Sequence, residues 1–143
     1  MCTLKDIKTV PGVLKILELI FVIITFGIYK GAELSFDLKH YKSVDTLATG
    51  ILISAFIITT SLLICYLVGQ SENIKQTFLE SIQNLILFLG LVVIGGLGID
   101  TWKSGASSKL TAEGLAMSSI SLLAAMCYLL DFVAAVIIYN RNK

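Results

Sequence analysis

Four long apolar runs separated by short polar stretches account for most of this chain. The last of them, Gly114–Tyr139 (GLAMSSISLLAAMCYLLDFVAAVIIY), has 26 residues, no proline and a single ionisable group, Asp131. At about 1.5 Å of rise per residue, a helix of that length slightly exceeds the roughly 30 Å hydrocarbon core of a bilayer. Its apolar positions run round the whole helix, which a small soluble core could not bury. Lipid accepts such a surface, because the helix satisfies its own backbone polar groups.

The other runs repeat the pattern. The first spans about 12–30, with Pro11 suited to a first helical turn and Lys15 and Glu18 near the entry. The second, about 45–68, starts at Asp45, a plausible N-cap. The third, about 77–99, opens with Thr77-Phe-Leu-Glu80, which has the spacing of a capping box. The fourth spans about 114–139. The connection at 31–44 is polar, and its alternating ELSFDLKHY fits either a strand or an interfacial amphipathic segment. The predicted fold is all-α: one integral membrane domain over 1–143, a four-helix transmembrane bundle with short loops. An even number of spans puts both termini on the same side of the membrane.

Composition agrees with this class and removes others. The chain has 143 residues, 56% hydrophobic and only 15% charged, where a soluble domain carries about a quarter. Eleven basic residues against ten acidic ones leave no surplus of positive charge for nucleic acid. The expected partners are the lipid bilayer and other membrane proteins, including further copies of the chain. Lys5, Lys8, Lys15, Lys75, Arg141 and Lys143 lie on the side of the termini, against Lys30, Lys39, Lys42, Lys103 and Lys109 on the other. That small bias, concentrated around the first helix, predicts cytoplasmic termini. Lys15 and Glu18 interrupt the first apolar run, so it is expected to remain as a span rather than to be cleaved as a signal peptide.

Little in the sequence points to catalysis. The one histidine, His40, stands beside Asp37 in a polar loop with no second soft ligand nearby, so no metal site is predicted. No nucleophile is spaced usefully from a base, and neither enzymatic activity nor a cofactor is expected. Of the cysteines, Cys2 and Cys65 are candidates for palmitoylation, and Cys127 reads as a packing residue.

Two sets of intramembrane residues call for an explanation. At the helical rise, Lys15 and Glu18 lie about 6 and 10 Å past Pro11, and Asp131 about 12 Å before Tyr139. All three therefore fall in the leaflet of the termini. Either the first and fourth helices touch, with Lys15 offsetting Glu18, Asp131 or both, or Lys15 snorkels to the headgroups while the acids are protonated or bonded to hydroxyls. The functional reading of Asp131 is a proton carrier; the alternative functions for the chain are accordingly a small channel or proton-carrying proteolipid-like subunit, or a trafficking or accessory subunit of a larger membrane complex. The second set is small residues that let helices approach closely: Gly50 with Ser54, then Gly90, Gly95 and Gly96, then Gly114 with Ser118. Tyr29, Trp102 and Tyr139, at the ends of spans, are expected as interfacial anchors.

LKILELIFVIITFGIY in the first helix, Asp100-Thr-Trp-Lys-Ser after the third, and the fourth run with its Tyr128-Leu-Leu-Asp131 give the chain a family likeness. It resembles the MARVEL-type four-helix proteins of vesicles and cell junctions, and more closely the small four-span proteins of insect smooth septate junctions. The resemblance implies a bundle that acts by lateral association, organising junctional or trafficking membrane without catalysis. The Trp-Gly-Leu-Trp stretch and loop cysteine pair of claudins and the Cys-Cys-Gly of tetraspanins do not occur, so a claudin-type seal is not implied.

Overall fold

The computed structural model describes residues 10–34, 36, 42–68, 78–103 and 108–141. These form four helices: α1 (Val10–Gly31), α2 (Lys42–Leu67), α3 (Leu79–Trp102) and α4 (Ser108–Arg141), with no strand among the described residues. Each contains an apolar stretch of 20 to 33 residues, long enough to cross a bilayer. The chain is therefore a four-span, multi-pass integral membrane protein with lipid as its surrounding solvent.

Hydropathy marks the bilayer better than it marks helix ends. Helix α4 begins at Ser108, six residues before the apolar run at Gly114. Helix α3 continues to Trp102, where Lys103 N–H still donates to the Ile99 carbonyl at 2.9 Å. Trp102 thus belongs to the helix and not to the loop beyond it. Helix α2 begins at Lys42, so Asp45 falls inside its first turn and is not its N-cap. Thr77, the first residue of the expected capping box, lies outside the described residues.

Contacts run round the bundle in chain order. The α3–α4 contact is the most extensive, α1–α4 and α1–α2 follow, and α2–α3 is the slightest of these four. Missing side chains explain the intimacy of α3 and α4. A Cβ on Gly95 would stand 2.7 Å from Leu122 Cγ and 3.1 Å from the Ser118 carbonyl oxygen. A Cβ on Gly98 would run into Ser118 Oγ, and one on Gly114 into the Trp102 ring. Gly90 does the same for α2, where a Cβ would lie 2.9 Å from Ile51 Cγ2. Between α1 and α2 the packing opens into an apolar groove of about 400 Å³ lined by Val22, Phe26, Gly27, Leu52 and Phe56 among others.

The end of the bundle away from the termini is closed by α1's own C-terminus. Leu34 N–H donates to the Tyr29 carbonyl and Glu33 N–H to the Lys30 carbonyl, at 3.1 and 3.3 Å, with Glu33 left-handed at φ 50°. This is the Schellman pattern, with Glu33 in the position glycine usually takes. The turn sends Phe36 back into the bundle, where its ring lies 4.8 Å from Trp102 and 6.2 Å from Tyr29. Tyr29 donates to Asp45 Oδ1, and Phe36 N–H donates to the same oxygen at 3.4 Å. Tyr29 and Trp102 are buried, so neither is the lipid-facing anchor that its place in the sequence predicts. Each has a nearer use for its ring inside the bundle. Tyr139 is half-buried at the opposite end, its ring tilted against Phe78 with centroids 5.7 Å apart.

Candidate functional site: a buried charge network

Each helix turns a pair of polar side chains inward at helical spacing, in the half of the bundle nearer the termini. On α1 these are Lys15 and Glu18, three apart; on α3, Glu80 and Asn84, four apart; on α4, Tyr128 and Asp131, three apart; on α2, Thr59 and Tyr66, seven apart. Such spacings put both members of each pair on one face. All eight are buried.

Lys15 is the centre. Its Nζ lies 2.5 Å from Asp131 Oδ2, 3.3 Å from Glu18 Oε2 and 3.8 Å from Glu80 Oε1, and it donates to Asn84 Oδ1 at 2.7 Å. Asn84 donates in turn from Nδ2 to Asp131 Oδ2 at 2.9 Å. Tyr66 donates to both oxygens of Glu80, at 3.1 and 3.3 Å, which ties α2 to α3. The hydroxyls of Thr59 and Tyr128 share a hydrogen bond of 2.5 Å between α2 and α4. The Tyr128 ring centroid is 6.0 Å from Lys15 Nζ. One ammonium is thus surrounded by three carboxyls and an amide, with every helix of the bundle attached to the arrangement.

Helix packing brings Lys15, Glu18 and Asp131 together, and Lys15 does not reach the headgroups: no part of its side chain is exposed. Sequence reasoning left Glu80, Asn84, Tyr66, Tyr128 and Thr59 out of this group. Their signal was present as polar residues at helical spacing in otherwise apolar spans, but Glu80 was absorbed by the capping-box pattern. Glu80 turns inward, with Oε1 3.8 Å from Lys15 Nζ, and Phe78 makes no side-chain cap hydrogen bond at the start of α3.

The small residues divide into two sets. Gly90, Gly95, Gly98, Gly114 and Ser118 lie at contacts between helices of this chain. Gly50, Ser54 and Gly96 point outward and are exposed, and a Cβ on Gly50 or Gly96 would meet nothing within 4 Å. They do not pack this bundle. Cys65 and Cys127 are half-buried free thiols, and Cys2 lies outside the described residues. No group of three or more histidine, cysteine or carboxylate side chains able to hold a metal occurs among the described residues. The Lys15 ammonium stands where the carboxyls converge.

Fold and network together define a class: a compact four-span membrane protein tied internally by ions and hydroxyls in one leaflet and by glycine contacts in the other. Within that class the chain is similar to Protein snakeskin of Drosophila melanogaster, with 26% identity over 155 aligned positions, covering 96% of this chain and 95% of that protein. No family model matches the chain, and no solved structure matches it.

Proposed function

We propose that this protein is a non-enzymatic organiser of membrane at cell junctions, acting by lateral helix–helix association with other membrane proteins and with copies of itself. The same activity would serve a vesicle microdomain, and the junctional plasma membrane is the site favoured by the end-to-end similarity to Protein snakeskin. The observation that carries the reading is the unused small-residue face of α2. Gly50 and Ser54 are four apart and exposed, and a Cβ on Gly50 would meet nothing within 4 Å. A second helix can approach closely at such a face, which in lipid is the main source of helix–helix attraction. The termini are assigned to the cytoplasm, where they and the 69–77 connection offer short polar segments to soluble partners. In this reading the charge network holds the helices in register and does no turnover.

The test is association of the full chain in liposomes, read by energy transfer between labelled copies, alongside imaging of the tagged chain in an epithelial sheet. Gly50→Leu and Ser54→Leu leave the interior untouched and should weaken association roughly tenfold, equivalent to about 1.4 kcal/mol. Unchanged association, or a uniform distribution away from cell contacts, would remove this function.

A further inference from the structure

We propose that the charge network is a proton-binding site, that Glu18 is the residue that takes the proton, and that it fills and empties only from the side of the termini. The inference stands on the geometry of the network and is independent of whether the bundle associates laterally.

Among the described residues, three carboxyls converge on one ammonium in an interior shielded by lipid, where surplus charge is strongly disfavoured. The hydrogen bonds distinguish the three. Asp131 Oδ2 accepts from both Lys15 and Asn84. Glu80 accepts from Tyr66 through both oxygens. Glu18 is fully buried and neither of its oxygens accepts or donates a hydrogen bond; among the described residues its one ion-pair partner is Lys15 at 3.3 Å, which Asp131 holds more closely. The groups that bear on Glu18 from the packed elements are Lys15 on its own helix, Asp131, Tyr128 and Cys127 on α4, Glu80 on α3 and Tyr66 on α2. Only one of these is a cation. A neutral Glu18 therefore fits the site and a charged one does not, while Asp131 and Glu80 keep donors suited to carboxylates.

A proton is favoured over a metal cation by the position of Lys15. Its ammonium already occupies the point where the oxygens meet, 2.5 to 3.8 Å from four of them. A metal ion there would face that ammonium at contact distance.

Access is one-sided. Glu80 lies one residue inside the start of α3, at the rim of the bundle, and Glu18 is about 12 Å along α1 from Val10. Toward the other face the interior is built of Val22, Leu52, Leu91, Ile94 and Met117. The hydroxyls met there return to main-chain carbonyls: Thr25 to Phe21, Ser118 to Gly114 and Ser121 to Leu91. Among the described residues no run of exchangeable groups continues across. The proton is held and not conducted.

The experiment is difference infrared spectroscopy on the full chain in phosphatidylcholine liposomes, in water and deuterium oxide, between an acidic buffer of about pH 6, where exposed carboxyls have already lost their protons, and an alkaline one of about pH 10. A protonated-carboxyl band should appear in acid and be lost in alkali. It should shift in protein made with isotopically labelled glutamate and stay fixed with labelled aspartate. Glu18→Gln should abolish it and Glu80→Gln should leave it. The labelled wild-type chain keeps the test alive if a variant fails to fold. No titrating carboxyl, a shift with aspartate, or a band that survives Glu18→Gln would overturn the assignment. Loss of the band on adding sodium at constant pH would make the ligand a metal ion, and collapse of a pH gradient across the same liposomes faster than across protein-free ones would overturn one-sided access.

Discussion

Adjacent glycines on α3 offer a comparison that isolates helix contact from helix propensity. Gly95 and Gly96 sit in the same turn of the same span, so replacing either by alanine brings the same gain, about 1 kcal/mol, from a residue that favours helix. Their surroundings differ. The new methyl at 95 would lie 2.7 and 2.8 Å from Leu122 Cγ and Cδ2 and 3.1 Å from the Ser118 carbonyl oxygen, whereas at 96 it would meet nothing within 4 Å. Carbon atoms rest at about 3.5–4.0 Å, so the Leu122 contacts are short by roughly 1 Å. Leucine can rotate, but the Ser118 carbonyl is part of α4's own backbone. Relief therefore requires α3 and α4 to part, and overpacking of that kind costs about 1–3 kcal/mol. Gly95→Ala should be less stable than Gly96→Ala by that amount, in dodecyl sulfate titrations of mixed micelles followed by circular dichroism. Equal stability of the two variants would refute the close α3–α4 contact. The same geometry makes Gly95→Leu and Ser118→Leu tests of folding and not of assembly, because both positions lie inside the chain's own bundle.

Two further outcomes probe the two ends of the bundle. Asp131→Ala leaves Lys15 without its nearest carboxyl and Asn84 Nδ2 without its acceptor, and should cost about 3–5 kcal/mol of stability in the same titration. Adding Lys15→Met to that variant should recover at least about 1 kcal/mol of the summed single losses, and strict additivity would mean that the pair is not coupled. At the opposite end, Tyr29→Phe removes the donor to Asp45 and should cost about 0.6 kcal/mol locally, and no more than about 1.7 kcal/mol. Faster amide exchange in the first turn of α2 is the measurement, and unchanged exchange there would contradict the latch.

How much of this could be read from residues alone depended on whether the signal was linear along the chain. Apolar length is linear, so the spans could be read, and so could the shared depth of Lys15, Glu18 and Asp131. The extra turns at the start of α4 could not, because Ser108–Glu113 mixes Ser108, Lys109, Thr111 and Glu113 with only Leu110 and Ala112, which carries no mark of the membrane yet continues the helix. Which way a residue faces is not linear, and in lipid the usual clue is missing. Outward positions are as apolar as inward ones, so hydropathy could not tell buried Gly95 from exposed Gly96, or place Gly50 and Ser54 outside the bundle. Glu80 shows a second obstacle. Its spacing from Thr77 satisfies a capping pattern, and one residue type at one position can serve a cap or a buried pair. Trp102 shows a third: aromatic rings collect at membrane interfaces, but the flat space above Gly114 could be known only once α3 and α4 had been brought together.

The four helices are not held equally, and this bears on where a partner would dock. Helices α3 and α4 share close backbone contact, and α1 is tied to α4 through Lys15 and Asp131. Helix α2 has the slightest contact with α3 and borders the open groove beside α1. Among the described residues its polar attachments include hydrogen bonds from Tyr29 and Phe36 to Asp45, between Thr59 and Tyr128, and from Tyr66 to Glu80. Side-chain hydrogen bonds inside membranes average about 0.6 kcal/mol each, so these four together supply only about 2 kcal/mol. A neighbouring helix packed on Gly50 and Ser54 could match that with one good face. Lateral partners should therefore engage α2 first, leaving the α1–α4–α3 core unchanged.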